Sequence, residues 1–375
     1  MIIYLCLVFF LIVFGVLLFY KEDNKILNKT VEEKKKIYVI VSFLLLFLVM
    51  GFRSLTVGTD TQLYVSIFKN YCNMSWSDIL TFKDTFIGFA VFNKLVSMFS
   101  TDPHAIIVAS SGLICFLTGR FICKNSNHVV YSTLLFILFY HYLNCFNIFR
   151  QYIAIMIVIN ALPLLINQKT IEYILVCLLA MSIHNTAIMA LLLFPLSKMR
   201  FTKHSIFMFT FFISFATFVV PIAMNKFAYL FPHYQMYFEN QYMNYSGYGL
   251  FILVGIYIMI SLLAFLSKNR MDNDPTAIST DIVNKDRRKF MLLLMINNFA
   301  IITNIMSYKY FILYRVSLYY SIYLIIFIPM VFDKYKKNLL LYFMFFLLIL
   351  VPFVSKLINN DGQVVPYKTD VFSES

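Results

Sequence analysis

Five charged or titratable side chains stand where apolar segments of this chain begin, end or break, and their types suit phosphate binding and proton transfer. Arg53 and Asp60 lie in "GFRSLTVGTD", Arg150 in "FNIFRQYIAI", His184 in "AMSIHNTAIM" and Arg315 in "YRVSLYYSIYLIIFIP". A guanidinium group can bind two phosphate oxygens at once, so arginines that converge from separate segments predict a diphosphate site. A carboxylate or an imidazole can accept the proton of an attacking hydroxyl group.

Three of these side chains also have a purely structural interpretation. Thr59 or Asp60 can cap the helix that begins at "TQLYVSIF", after a tight turn at Gly58. Arg53 can anchor a helix end at the membrane surface by extending its charge into water. His184 can be a satisfied polar residue in a helix break, as a lone histidine usually is.

Arg150 and Gln151 open an apolar span, because a run of apolar residues follows them immediately. A charge at or just below the membrane boundary usually points into a bundle or a cavity. The sequence therefore favours a functional role for Arg150, with Gln151 beside it as a further candidate for binding substrate.

The composition identifies the class of protein. Of 375 residues, 61% are hydrophobic and 13% are charged, and apolar runs of about 17–25 residues recur from end to end. An α-helical bundle satisfies its backbone groups in lipid, whereas an open sheet does not. We therefore predict an all-α, polytopic membrane protein with a single domain over residues 1–375 and about 11–12 membrane segments. The first apolar run has no basic n-region and no cleavage site, so it is predicted to be a span rather than a removed signal.

One apolar segment, 171–196, is predicted to enter the membrane and return as a hairpin that turns near Ser182–Thr186. With this reversal, the inward loops hold 21 of the 31 Lys and Arg residues, as expected for cytoplasmic loops. Both chain ends then lie outside. The ten other spans are predicted at 2–20, 37–52, 104–122, 128–146, 149–167, 205–223, 249–266, 290–306, 315–332 and 338–354.

The outward regions of this topology are 53–103, 224–248, 307–315 and the tail 355–375, and they are rich in Tyr, Asn, Gln and His. Polar aromatic surfaces suit sugars, whose C–H faces stack on rings and whose hydroxyls need amide partners. An aromatic belt at the membrane interface explains the same composition without a ligand.

Charge and cysteine usage exclude several other classes. The net charge of +13 is explained by basic cytoplasmic loops, so no nucleic-acid partner is predicted. The six cysteines lie mostly in apolar runs, with no CxxC motif and no His cluster nearby. We therefore predict no metal site and no disulfide, and the absence of a nucleotide-binding loop predicts no cofactor.

Five sequence blocks resemble the EpsG family in the same order, and they span nearly the whole chain. The blocks are "GFRSLTVGTDTQLYVSIF", "NIFRQYIAIMIV", "AMSIHNTAIMALLLFPL", "YRVSLYYSIYLIIFIP" and "VPYKTDVF". EpsG-like proteins are similar to Wzy-type polymerases of bacterial O-antigen, capsule or exopolysaccharide. One position departs from the family pattern E-x-G-F, because this chain has Phe86-Ile87-Gly88-Phe89 with Asp84 two residues earlier. Either Asp84 takes the place of the family's acid or that role is absent.

The resemblance implies a glycosyltransferase of the bacterial inner membrane, independent of metal and nucleotide, with a fold like that of GT-C enzymes. It would move a glycan from undecaprenyl diphosphate onto another lipid-linked repeat unit at the outer face. The three arginines would stabilise the departing diphosphate. Asp60 or His184 would deprotonate or position the attacking hydroxyl. Gln151 and Tyr367, which lie in matched blocks, are further candidates for contacting substrate.

Two other functions are compatible with the composition. A transporter of lipid-linked sugars would favour inverted internal repeats, and the two halves show no convincing self-similarity. A membrane acyltransferase also uses intramembrane His and Arg but needs an acyl-donor route from the cytoplasm. For the polymerase, the predicted partners are the lipid-linked donor and acceptor, membrane lipid and a chain-length regulator protein.

Overall fold

The structure is a computed structural model of the chain. It describes residues 1–19, 30–81, 86–199, 215, 248–272, 281–308, 312–335 and 339–370. Within these ranges all regular secondary structure is helical, which confirms the predicted all-α class. In chain order the described α-helices are α1 (Ile2–Phe19), α2 (Val31–Gly51), α3 (Thr61–Asn73), α4 (Trp76–Thr81), α5 (Ile87–Ser97), α6 (Pro103–Asn125), α7 (Val129–Leu138), α8 (His141–Asn144), α9 (Phe149–Ile159), α10 (Leu162–Ile166), α11 (Thr170–Ile183), α12 (Leu193–Lys198), α13 (Tyr248–Asp272), α14 (Asp281–Ser307), α15 (Ile312–Ser321), α16 (Leu324–Phe332) and α17 (Leu339–Ile358).

The chain divides into two compact units. The first unit comprises Met1–Leu162, Ile174–Ile188 and Phe353–Ser375, and the second comprises Pro163–Tyr173 and Met189–Pro352. Both units are assembled from segments that are distant in sequence. The single membrane domain inferred from the sequence stays a prediction.

Local sequence signals explain where two of the long helices begin. Thr30 and Glu33 form a capping box at α2, in which the Glu33 N–H donates to Thr30 Oγ1 at 3.3 Å and the Thr30 N–H donates to the Glu33 carboxylate at 2.7 Å. Asp102 caps α6 by accepting the His104 N–H at 2.7 Å, and Pro103 occupies the first helical position. These polar caps satisfy N–H groups that have no partner inside the helix.

Five described helical segments are long and apolar enough to cross a membrane, and α15 with α16 makes a sixth if this bent pair is one span. The chain is therefore a membrane protein. The total number of crossings stays a prediction. The five segments, Ile2–Phe19, Pro103–Asn125, Phe149–Ile166, Gly249–Ser267 and Asn284–Ser307, coincide with the spans predicted at 2–20, 104–122, 149–167, 249–266 and 290–306.

The span at 149–167 stays one long segment although a turn at 160–161 separates α9 from α10, but two other predicted spans are broken. In 128–146, α7 ends at Leu138 and the short α8 follows, because Tyr140 has a φ of 67°. A left-handed residue interrupts the i to i−4 hydrogen-bond ladder of a right-handed helix. In 315–332, α15 and α16 meet at a bend of 45°. Uniform apolar composition concealed both breaks. The predicted span at 205–223 lies outside the described residues, apart from residue 215.

The segment 170–198 reverses direction, as predicted. The hydroxyl of Tyr173 donates to the carbonyl of Ala190 at 2.8 Å, although 17 residues separate them. A straight helix of that length would hold the two residues about 25 Å apart. The turn falls at His184, between α11 and a 3-10 helix over Asn185–Leu192.

Candidate functional site

The loop after α2, residues 52–60, carries Arg53 and Asp60, and we call it the Asp60 loop. The C-terminal segment, residues 359–370, lies antiparallel beside this loop, and hydrogen bonds join the two segments along their length. The joining hydrogen bonds run from Ser54 N to Lys368 O (2.8 Å), from Gly58 N to Gln363 O (3.0 Å), from Thr59 N to Gly362 O (3.3 Å) and from the Thr369 hydroxyl to Phe52 O (2.7 Å).

Arg53 is enclosed by this loop and is only 1% exposed. Its Nε, Nη1 and Nη2 donate to the backbone carbonyls of Val57 (3.3 Å), Met50 (2.5 Å) and Phe146 (2.9 Å). The guanidinium also lies 4.7 Å from the centroid of the Phe146 ring, a favourable cation–π geometry. Burial lowers the pKa of Arg53 to about 10, so the group stays charged at neutral pH. This geometry gives Arg53 a structural role, and its predicted contact with a diphosphate stays untested.

Tyr367 is also bound to protein backbone. Its hydroxyl donates to the carbonyl of Val49 at 3.0 Å, and its ring meets that of Tyr4 edge to face at 6.2 Å. Burial raises the pKa of Tyr367, so its hydroxyl keeps its proton and remains a donor at neutral pH. The contact with substrate predicted for Tyr367 stays a prediction.

Asp60 occupies the N-cap position of α3 but makes no capping hydrogen bond with its side chain. Its backbone is helical, with φ of −98° and ψ of 0°, whereas a capping side chain normally needs an extended backbone. The carboxylate is partly exposed and accepts the Thr59 hydroxyl at 3.1 Å. The structure therefore does not show the capping role considered for Asp60.

Arg150, at the second position of α9, lies on a pair of aromatic rings. Its guanidinium carbon is 4.1 Å from the centroid of Phe86 and 5.5 Å from that of Phe89. The residue is partly exposed, but its Nε is buried and has no hydrogen-bond partner within the described part of the chain. Aromatic faces hold a planar guanidinium in place without using its N–H donors. The two rings thus orient Arg150 without using its N–H groups as hydrogen-bond donors.

The ring of Phe86 also faces His184, with 6.0 Å between the ring centroids. The Nδ1 atom of His184 lies 2.6 Å from the hydroxyl of Thr186, which helps to fix the imidazole. Two residues predicted from separate motifs, Arg150 and His184, therefore lie against the same aromatic ring.

Gly88 explains how α5 reaches the hairpin turn. A Cβ atom at this position would overlap with Oγ of Ser182 and lie 3.0 Å from the carbonyl carbon of Ser182. Only a residue without a side chain permits this approach. In the sequence, Phe86 and Gly88 mark a departure from the family pattern, and a glycine between aromatic residues also signals close packing.

An aromatic cluster links the Asp60 side of this region to the Arg150 side. The Tyr64 ring lies 3.9 Å from that of Phe149 and 6.1 Å from that of Phe89, as measured between centroids. Tyr64 is one helical turn after Asp60, whose carbonyl accepts its N–H at 3.1 Å, and Phe149 directly precedes Arg150. The structure therefore connects the first turn of α3, Arg150 and the hairpin turn through a group of aromatic rings within the first unit.

The other predicted residues are placed differently. Gln151 is 1% exposed and lies inside the first unit. Arg315 is partly exposed in the first turn of α15, in the second unit, so its convergence with the other arginines stays a prediction. Asp84 and nearly all of the loop 224–248 lie outside the described residues.

Comparison with known proteins assigns the chain to a family. The model of the EpsG family matches residues 36–369, a range that includes Arg53, Asp60, Arg150 and the hairpin turn. No curated protein and no solved structure matches the chain. Since the match covers nearly the whole chain, the protein belongs to the EpsG family, and this identifies it as a membrane protein of the exopolysaccharide-polymerase type.

Proposed function

We propose that this protein polymerises a polysaccharide at the outer face of the bacterial inner membrane. A glycan is transferred from undecaprenyl diphosphate, through its anomeric carbon, to a hydroxyl of a second lipid-linked repeat unit. The bond from that carbon to the diphosphate oxygen breaks, the bond to the acceptor oxygen forms, and the hydroxyl proton passes to a base. Undecaprenyl diphosphate leaves with the negative charge. The reaction uses neither a metal nor a nucleotide.

The observation that carries this proposal is the geometry of Arg150 in a member of the EpsG family. The departing diphosphate gains negative charge as its bond to the sugar breaks. A guanidinium already held on Phe86 can stabilise that charge through its N–H groups without reorganising. The partial exposure of Arg150 gives a ligand access to the side chain, although its Nε is buried.

Asp60 and His184 are the two candidates for the base. Asp60 has a partly exposed carboxylate that is not used to cap α3, and His184 shares an aromatic neighbour with Arg150. Either group can take the acceptor proton or align the hydroxyl. We favour Asp60, with His184 as the alternative.

The remaining residues have supporting parts in the proposal. Arg315 supplies a second cation for the diphosphate. Tyr367 and Gln151 support the site from within the protein, since both are bound or buried there. The partners are the lipid-linked donor and acceptor, membrane lipid and a chain-length regulator.

The decisive experiment adds purified lipid-linked repeat units to the purified protein. We expect a ladder of longer glycans and the release of one undecaprenyl diphosphate for each new linkage. Arg150→Ala should abolish the ladder, whereas the control Arg120→Ala should keep it, because exposed Arg120 donates to Asn160 elsewhere. The protein would be a transporter instead if two results coincide. The purified wild-type protein makes no ladder, and cells that lack its gene lose every outer repeat unit.

A second experiment tests the outer location. Asn185, at the hairpin turn, is exposed, and Asn185→Cys in a cysteine-free protein should react with a membrane-impermeant thiol reagent on intact spheroplasts. Labelling that requires permeabilised membranes would place the turn inside and overturn the proposed orientation.

A further inference from the structure

Asn147, in the turn between α8 and α9, joins three segments of the first unit. It is 8% exposed. Its side-chain oxygen accepts the backbone N–H of Thr59 at 2.6 Å, and the Thr59 hydroxyl lies 3.1 Å from the same oxygen. The turn that leads into α9 therefore holds the Asp60 loop through this carboxamide group, in addition to the bond from Arg53 to the Phe146 carbonyl.

The Thr59 hydroxyl connects this carboxamide to the Asp60 carboxylate. The hydroxyl oxygen lies 3.1 Å from Asn147 Oδ1 and 3.1 Å from Asp60 Oδ1. A hydroxyl has one hydrogen to donate, so the two acceptors compete for it. The hydrogen bonding of Asp60 consequently depends on Asn147.

Two glycines allow the chain to close around Asn147. Gly58 has a φ of 101°, and a Cβ there would lie 2.9 Å from Asn147 Oδ1. Gly362 of the C-terminal segment has a φ of 77°, and a Cβ there would overlap with Asn147 Nδ2. Both the conformation and the close approach favour glycine at these positions. The carboxamide thus fills the space between the Asp60 loop and the C-terminal segment.

We propose that Asn147 is a positioning residue that holds the Asp60 loop and the C-terminal segment against the start of α9, where Arg150 stands. This inference rests on the proposed function, because that function gives Asp60 its role as base. Asn147 lies three residues before Arg150 in the chain, so the carboxamide couples the positions of the two groups. Loss of its hydrogen bonds leaves Arg150 on its rings but removes one of the contacts that fix the backbone of the Asp60 loop.

Hydrogen exchange of the peptide 53–62 tests the positioning itself, and initial rates of polymerisation test its consequence. Asn147→Leu keeps the side-chain volume but removes the acceptor. We expect Thr59 amide exchange to become faster by up to about tenfold, because only the longer bond to the Gly362 carbonyl remains. Turnover should fall by a similar factor of about ten with little change in KM, because substrate contacts remain. Asn147→Asp keeps the acceptor oxygen and should restore the protection of the Thr59 amide.

Gly362→Ala is a second variant in case Asn147→Leu does not fold. Its new Cβ pushes on Asn147 and should also accelerate exchange in 53–62. Gly255→Ala is the matched control, since nothing lies within 4 Å of a Cβ there.

Unchanged exchange in both Asn147→Leu and Gly362→Ala would overturn the inference, as would faster exchange with unchanged turnover. If the wild-type protein makes no polymer, the proposed function fails, and with it the link from Asn147 to catalysis. The exchange comparison then still decides whether Asn147 holds the loop.

Discussion

Arg53 and Arg150 occupy similar sequence settings but have opposite relations to their surroundings. Each stands beside an apolar segment, and each lies on a phenylalanine ring, Phe146 for Arg53 and Phe86 for Arg150. Arg53 is 1% exposed and donates to three backbone carbonyls. Arg150 is partly exposed, and its buried Nε has no partner within the described residues.

A structural arginine and a candidate ligand-binding arginine therefore differ in whether protein carbonyl groups already accept the guanidinium N–H groups. A guanidinium whose nitrogens all donate to the backbone has little left to offer a phosphate, whereas one held by ring faces keeps its donors. The Phe146 carbonyl at Arg53 and the rings under Arg150 are brought there by tertiary structure, so neither motif alone distinguishes the two roles.

The largest expected effect is the loss of folded protein in Arg53→Ala. Three buried carbonyls would lose a charged donor, and hydrogen bonds of this kind contribute about 1.5–3 kcal/mol each. We expect little monodisperse protein after detergent extraction and a clearly lower thermal midpoint for what remains. Wild-type stability combined with absent polymer would instead move Arg53 into the same class as Arg150.

Asp60→Asn should lower polymerisation by about 10²-fold or more, the range of a lost general base. The protein level should not change, because the carboxylate makes no capping bond and Asn can still accept the Thr59 hydroxyl. The measurement is polymer formed per amount of purified protein. Near-normal turnover would remove Asp60 as the base, and His184→Gln would then be expected to abolish activity.

Arg150→Ala should lower turnover by about 10²–10³-fold, as for the loss of one group that stabilises transition-state charge. Arg150→Lys should not restore it, since lysine keeps the charge but lacks the planar fork. Both variants should be extracted from the membrane in wild-type amounts. Full-length polymer made by the lysine variant would reduce Arg150 to a general electrostatic role.

Gly88→Ala should have the smallest effect of the four, with a cost of about 1–3 kcal/mol for overpacking. Its Cβ meets Ser182 at the hairpin turn, so the Arg150 side should be disturbed while the Asp60 loop is not. The thermal midpoint should fall relative to Gly255→Ala, which adds a Cβ in open space. Equal midpoints for the two alanine variants would show that α5 and the turn adjust freely.

Properties that depend on local composition were predictable from the sequence. Lipid demands long apolar helices, and the five long spans and the hairpin turn at His184 follow from run length and charge distribution. The break at Tyr140 was missed, because a left-handed residue inside an apolar run leaves no mark on hydropathy. Asp60 stands at an N-cap, yet its helical backbone prevents the bond that its residue type suggested.

The candidate site was only partly predictable, for a physical reason. Arg150 and His184 were identified by residue type at a membrane boundary, but their common neighbour Phe86 depends on the packing of α5. Asn147 is the first residue of the block "NIFRQYIAIMIV", so the family resemblance pointed to its position. The sequence did not show which residues Asn147 contacts. Its partners, Thr59 and Gly362, come from distant parts of the chain.

The contact between the Asp60 loop and the C-terminal segment sets an order of events during synthesis. Thr369 bonds to Phe52 across 317 residues of sequence. At translation rates of about 5–20 residues per second, the loop waits at least about fifteen seconds for these partners. A nascent chain that has already inserted α1–α16 still lacks the backbone bonds that shape the loop around Asp60. Full assembly of the candidate site is therefore deferred until nearly all of the membrane helices have been made.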